Sequence, residues 1–145
     1  MRQGGKRVSR SEGAGVLDAG IVLARLDRLH KSHHKAVELF RRSAGGSLSL
    51  AISVVNLAEV LQHSRRYIEA TGVDPVDLLR GFKVDVHGPD VDIARRVAAL
   101  TTLEGASLAD RFAAATAEAM SARLYTTDRA LGIALRSRQV PVTLW

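Results

Sequence analysis

Apolar residues follow two alternating patterns along the chain. Short apolar runs such as Leu48 to Ile52 have the length of buried strands, and between them apolar positions return at helical spacing. Strands are predicted at 16–18, 48–52, 83–87, 124–126 and 142–145. Helices are predicted at 21–29, 33–42, 54–70, from 74 onward, 89–103, 107–122 and 128–138. Alternating strands and helices predict an α/β fold, a three-layer sandwich whose mostly parallel central sheet is flanked by helices.

The first fifteen residues do not take part in this pattern. Residues 1–15 contain four glycines and two serines, and they show neither strand nor helix periodicity. We interpret them as a flexible basic arm in front of a single domain of residues 16–145. A merely disordered start and an RNA-contacting arm both remain open for this segment.

Charge and length restrict the class of protein. The net charge is +6, and half of it comes from the arm, so the domain itself is only mildly basic. This balance favours an anionic partner such as nucleic acid, but weakly. No apolar run approaches the ~20 residues that span a membrane, and no apolar segment near the start resembles a secretory signal. We therefore expect a cytoplasmic protein without a membrane partner.

The chain contains no cysteine. Disulfides, cysteine zinc sites and a cysteine nucleophile are thereby excluded. A metal site would have to use carboxylate or histidine ligands, and hard carboxylate oxygens suit Mg²⁺ or Mn²⁺.

Acidic residues follow several of the predicted strands. Asp18 ends the first strand, Asp128 comes just after the strand at 124–126, and Glu59 lies in the second turn of the helix after the strand at 48–52. Because the carboxyl ends of parallel strands meet at one edge of a sheet, these three carboxylates are expected to approach each other.

Asp110 lies on a helix that is apolar almost all round, which predicts burial of that helix. By helical spacing Asp110 shares a face with Ala114 and Ala117, where small side chains leave room for another group. A buried carboxylate is costly unless positive charge compensates it, and a divalent cation would do so.

Each acid also has a purely structural interpretation. Asp18 and Asp128 could cap the helices that follow them, and Ser107 with Asp110 forms a capping-box pattern. Periodicity does not decide whether Glu59 faces solvent or a cleft. The joint placement of the acids, rather than any one of them, favours a functional site.

The chain resembles the PIN-domain ribonucleases, in particular the VapC-type toxins of bacterial toxin–antitoxin pairs. The matching segments, in order, are 16–19 (VLDA), 52–60 (ISVVNLAEV), 107–110 (SLAD) with 113–117 (AAATA), and 124–129 (LYTTDR). The resemblance extends from about residue 15 to the end of the chain.

This resemblance implies that Asp18, Glu59, Asp110 and Asp128 form the acidic quartet that binds Mg²⁺ or Mn²⁺ and hydrolyses RNA. Thr126 matches a threonine whose hydroxyl helps to hold a carboxylate or a metal-bound water. The resemblance further implies a cognate VapB-like antitoxin, a homodimer, and tRNA or rRNA as substrate.

Two arginines, Arg111 and Arg129, directly follow site acids and are candidates either for contacts with RNA phosphates or for ion pairs with a neighbouring residue. One departure from the family pattern stands at Ala19 and Gly20, where a Ser, Thr or Asn is usual within two residues of the first Asp. The alternative is therefore a PIN-like domain that binds nucleic acid or protein without cleavage. A nucleotide-binding module is disfavoured because neither GxGxxG nor a P-loop lysine motif is present.

Overall fold

The computed structural model describes residues 13–101, 103, 105–136 and 138–145. Residues 1–12 of the predicted arm lie outside these ranges, and its predicted end at residue 15 is wrong, because Ala14 and Gly15 belong to the first strand. Within them one sheet has the strand order β3-β2-β1-β4-β5, and every pairing is parallel. The strands are β1 (Ala14–Leu17), β2 (Ser49–Ser53), β3 (Asp85–His87), β4 (Arg123–Thr126) and β5 (Val142–Leu144). The predicted parallel α/β fold is thus confirmed.

The helices lie close to the predicted positions, with one exception. They are α1 (Ala19–Leu26), α2 (His33–Ala44), α3 (Val54–His63), α4 (Arg65–Thr71), α5 (Pro75–Gly81), α6 (Val91–Ala99), α7 (Leu108–Ala119) and α8 (Arg129–Arg136). The single long helix predicted at 54–70 is wrong, because the chain leaves helical geometry at the buried Ser64. Its hydroxyl bonds back to the Leu61 carbonyl, a local bond that competes with helix propagation. None of the described helices is long and apolar enough to cross a membrane.

Two separate cores cover the two faces of the sheet. Leu17 and Tyr125 point into the first core, where α1, α2 and α5 contribute apolar side chains. Val16 and Leu124, their neighbours along the strands, point into the second core with α6, α7 and α8. Since side chains alternate across a strand, the central strands β1 and β4 are apolar on both faces, as the middle of a parallel sheet between two helical layers requires.

Burial of α7 differs from the prediction. Its central residues 113–117 are buried, but Leu108 in the first turn is 63% exposed and Asp110 is half-buried. The apolar composition predicted burial all round, whereas only the middle of the helix lies against the sheet. The first turn is only partly buried and is free to contribute to a site.

The strand order reverses between β1 and β4. From β1 the chain moves outward through β2 to β3, then crosses back and moves outward on the other side through β4 to β5. After β1 the chain enters a helix of the first core, and after β4 it enters a helix of the second. The two connections therefore diverge and leave a crevice at the carboxyl ends of these strands, the position where open α/β sheets bind ligands.

Candidate active site

Asp18 is the residue at which β1 passes into α1, beside this crevice. Its backbone N–H donates to the Tyr125 carbonyl of β4 at 3.1 Å, so it is tied to both central strands. The side chain is only 5% exposed, and its Oδ1 accepts from the Ile21 N–H at 3.3 Å as the N-cap of α1. The structural interpretation of Asp18 as a cap is correct, but the cap involves one carboxylate oxygen only.

The second oxygen of Asp18 is held by Thr126, the last residue of β4. The Thr126 hydroxyl donates to Asp18 Oδ2 and accepts from the Asp128 N–H at 2.9 Å. Thr126 is fully buried, so this link is shielded from water. The hydroxyl thereby fixes the Asp18 carboxylate and the β4–α8 turn relative to each other.

Burial raises the pKa of Asp18 to about 6, from an ordinary value of 3.8. Hydrogen bonds from Thr126 and from the Ile21 and Gly20 N–H groups lower this pKa, and the nearby carboxylate of Asp110 raises it. Removal from water is the largest of these effects, so the charged form is costly in the metal-free fold.

Asp110 lies in the first turn of α7 and completes a capping box with Ser107, the N-cap residue of that helix. Its N–H donates to Ser107 Oγ at 3.1 Å, and its Oδ2 accepts from the Ser107 N–H at 3.2 Å. Burial raises the pKa of Asp110, the Ser107 N–H lowers it, and the close carboxylate of Asp128 raises it. Asp110 therefore takes part in helix capping and also lies close to another acid, as Asp18 does.

Asp128 is half-buried at the start of α8. Its Oδ1 accepts from the Leu131 N–H at 3.0 Å, which makes it the cap of that helix. Through Thr126 it is linked to Asp18, and through space it acts on Asp110. The structure thus brings three of the four predicted acids within electrostatic reach of one another.

Glu59 is half-buried on α3 and makes no hydrogen bond or ion pair with the other described residues. A hydrogen bond between α3 and α7 is made by Asn56, one turn before Glu59: its Nδ2 donates to the Ala109 carbonyl at 3.0 Å. Asn56 is buried and its Oδ1 has no partner within the described ranges. Sequence reasoning did not single out Asn56, although a polar residue on the buried face of α3 was the available signal.

No positive side chain of the described residues forms an ion pair with these acids. Ion pairs in the described part of the chain involve Arg41 and Arg96, and none includes Asp18, Asp110 or Asp128. The neighbouring Arg111 has a buried Nε without a hydrogen-bond partner there, and Arg129 is exposed. The crevice therefore has a negative charge that the described protein groups do not neutralise.

A divalent cation fits the donor chemistry of this site. Across the described ranges no three acidic or histidine side chains are grouped tightly enough to hold one ion by themselves. Mg²⁺ does not need such a group, because it keeps several waters and binds through one or two carboxylates together with substrate phosphates. Asp18, Asp110 and Asp128 provide such oxygens, and the absence of a balancing cation among them gives a reason to bind one.

The crevice and its carboxylates define a class: a parallel α/β domain with an acidic site at its topological switch point. Within that class, the chain belongs to the PIN domain family, whose pattern matches residues 15–133. This match includes all four predicted acids and confirms the resemblance found in the sequence.

Solved structures share the fold. VapBC2 from Rickettsia felis, bound to a promoter DNA fragment, aligns with a TM-score of 0.64 and 20% identity over 91% of this chain and 98% of that one. A toxin–antitoxin complex from Klebsiella pneumoniae aligns at 0.62 and 20% identity, covering 89% and 96%. VapC20 of Mycobacterium tuberculosis, a sarcin-ricin loop cleaving toxin, aligns at 0.63 and 16%, covering 83% and 94%. Among curated proteins nothing matches this chain.

Proposed function

We propose that this chain is a Mg²⁺- or Mn²⁺-dependent endoribonuclease and the toxin of a type II toxin–antitoxin pair. The observation that supports this most directly is the group of Asp18, Asp110 and Asp128 at the switch point, where two carboxyls have raised pKa values and none of the three pairs with a cationic side chain that the structure describes. Membership of the PIN domain family and the fold shared with VapC toxins support the same function.

In this proposal Asp18, Asp110 and Asp128 hold the cation, and Glu59 is the fourth acid of the site. A bound divalent cation would lower the pKa of a water molecule and offset charge on the phosphate during hydrolysis. Arg111 and Arg129 are proposed to contact RNA phosphates on either side of the scissile bond.

The protein's own groups orient the carboxylates before any ligand arrives. Thr126 and the first N–H groups of α1 hold both oxygens of Asp18, so that this side chain keeps one orientation. The Ser107 N–H holds one oxygen of Asp110, and the Leu131 N–H holds one oxygen of Asp128. Preorganised carboxylates of this kind need little rearrangement as the reaction proceeds.

The expected partners are an RNA substrate, tRNA or rRNA, and a VapB-like antitoxin, with a homodimer as the assembled form. Two of the similar structures are toxin–antitoxin assemblies, which supports an antitoxin for this chain. A protein that cuts cellular tRNA or rRNA acts in the cytoplasm, and an antitoxin would restrain it there.

The test is cleavage of purified tRNA and rRNA by the full chain, with Mg²⁺ or Mn²⁺, with EDTA, and by Asp18→Asn. We expect cleavage that EDTA abolishes, that added cation restores, and that Asp18→Asn reduces by at least about a hundredfold, in the range of losing a principal electrostatic group. The matched control is Asp77→Asn, the same change at an exposed residue of α5. Cleavage by Asp18→Asn at the wild-type rate would overturn the proposal, and RNA binding without cleavage would favour the binding-domain alternative.

A further inference from the structure

At Gly20, in the first turn of α1, there is no room for a side chain, because the Thr127 side chain occupies the adjacent space. A Cβ at position 20 would overlap Thr127 Oγ1 and would lie 3.3 Å from Asp18 Oδ1. Gly20 does not have a positive φ, so backbone conformation does not require glycine here. The Thr127 hydroxyl and the Asp18 carboxylate therefore both lie next to the position that a Cβ of residue 20 would occupy.

The Thr127 hydroxyl has no hydrogen-bond partner in the part of the chain that the structure describes. Its two chain neighbours differ in this respect. Thr126 uses its hydroxyl as both donor and acceptor, and Asp128 caps α8. Thr127 is half-buried at the same turn, so its hydroxyl is accessible to a ligand or a water molecule.

The two residues that follow Asp18 cannot offer such a group themselves. Ala19 is buried in the first core, and Gly20 has no side chain. The space where a side chain at position 20 would project is filled by the Thr127 hydroxyl, which enters from the other central strand. A hydroxyl is thus present beside Asp18 although the sequence after Asp18 contains none.

We propose that Thr127 is a positioning residue of this site: its hydroxyl replaces the polar side chain that positions 19 and 20 lack, and it orients a water beside Asp18 Oδ1 when a divalent cation binds. This inference rests on the proposed function, because it assigns a role within the same cation site. Groups that orient the surroundings of a metal typically change its affinity by about 10- to 100-fold when they are removed.

The first experiment measures Mn²⁺ binding to the full chain by calorimetry, beside RNA cleavage and the melting temperature. Thr127→Val removes the hydroxyl and keeps the shape, and it is expected to weaken Mn²⁺ binding by about 10-fold or more with little change in melting temperature. Thr127→Ser is expected to retain most of the affinity. The matched control is Thr101→Val, the same change at an exposed turn after α6, with wild-type binding expected.

A second pair of variants moves the hydroxyl from the β4–α8 turn, at position 127, to the first turn of α1, at position 20. Gly20→Ser alone is expected to lower the melting temperature, because its Cβ overlaps Thr127 Oγ1. Gly20→Ser combined with Thr127→Gly makes room for the new side chain and is expected to regain both stability and Mn²⁺ affinity. If Thr127 had only a structural role, a hydroxyl placed on α1 would not restore the affinity for Mn²⁺.

The outcomes separate this inference from the proposed function. If the wild type binds Mn²⁺ and cuts RNA but Thr127→Val binds Mn²⁺ equally well, the role of Thr127 is overturned and the proposed function stands. A folded double variant that binds as weakly as Thr127→Val also overturns it. If the wild type neither binds Mn²⁺ nor cuts RNA, the proposed function fails, and the role of Thr127 fails with it.

Discussion

Asp18→Asn is expected to stabilise the metal-free protein at neutral pH. Burial raises the pKa of Asp18 from 3.8 to about 6, and each pKa unit corresponds to about 1.4 kcal/mol, so the charged carboxylate costs about 3 kcal/mol in the fold. Asparagine caps a helix as well as aspartate does, so the bond from the Ile21 N–H is retained. Weakening the bond from Thr126 costs about 1 kcal/mol. The net gain is about 2 kcal/mol at pH 7.5.

The same pKa shift gives the wild type a characteristic pH dependence. Between about pH 4 and pH 6 the folded state keeps the Asp18 proton while the unfolded state has lost it. The free energy of unfolding therefore falls as the pH rises through this window, and it stays lower above it. The raised pKa of Asp110 adds a slope of the same sign, so the difference between wild type and Asp18→Asn isolates the contribution of Asp18.

Urea unfolding and thermal melting, both in EDTA at pH 4 and pH 7.5, measure both effects. At pH 7.5 the melting temperature of Asp18→Asn should exceed that of the wild type by about 4 to 8 °C. Mn²⁺ at a hundred times its Kd should reverse the order, because it stabilises the wild type by about 2.7 kcal/mol, more than the substitution gains, whereas a variant that has lost the Asp18 carboxylate should gain little. Asp77→Asn, an exposed control, should show neither change. An Asp18→Asn protein less stable than wild type in EDTA at pH 7.5 would refute the burial argument.

Three further substitutions test the supports of the site by urea unfolding. Ser107→Ala removes the cap of α7 and should cost about 1 kcal/mol, whereas an unchanged midpoint would mean that the capping box contributes nothing. Asn56→Ala leaves the Ala109 carbonyl without its 3.0 Å bond and should cost about 1 to 3 kcal/mol, and a neutral result would exclude a strong link between α3 and α7. Gly15→Ala places a Cβ 2.7 Å from the Tyr125 ring and should cost about 1 to 3 kcal/mol through overpacking, so wild-type stability would contradict the tight contact between β1 and β4.

The caps illustrate why each acid had two interpretations in the sequence. Asp18 and Asp128 cap helices and Asp110 completes the capping box of Ser107; Asp18 and Asp110 also have raised pKa values caused by burial and by a neighbouring acid. A residue at a strand–helix junction is placed to accept helix N–H groups and to face the sheet edge at once. An acid can therefore accept helix N–H groups and belong to the site at the same time, so the sequence alone does not distinguish the two interpretations.

Local patterns were sufficient for the elements of the fold. Apolar runs and helical spacing predicted the parallel α/β sandwich, and proline with the capping residue Asp74 marked the start of α5 correctly. The break at Ser64 was missed because it depends on one local hydrogen bond, which leaves the apolar periodicity of the segment unchanged. The predicted burial of the first turn of α7 was wrong, because composition does not show which part of a helix packs against the sheet.

The acids themselves could be named from the sequence, because their positions after strands and the family resemblance are local properties. Only the tertiary structure decided that Thr126 holds Asp18, that Asn56 joins α3 to α7, and that Thr127 fills the space beside Gly20. These contacts join residues far apart in the chain. They depend on the order in which parallel strands lie side by side, and hydrophobic periodicity along the chain contains no information about that order.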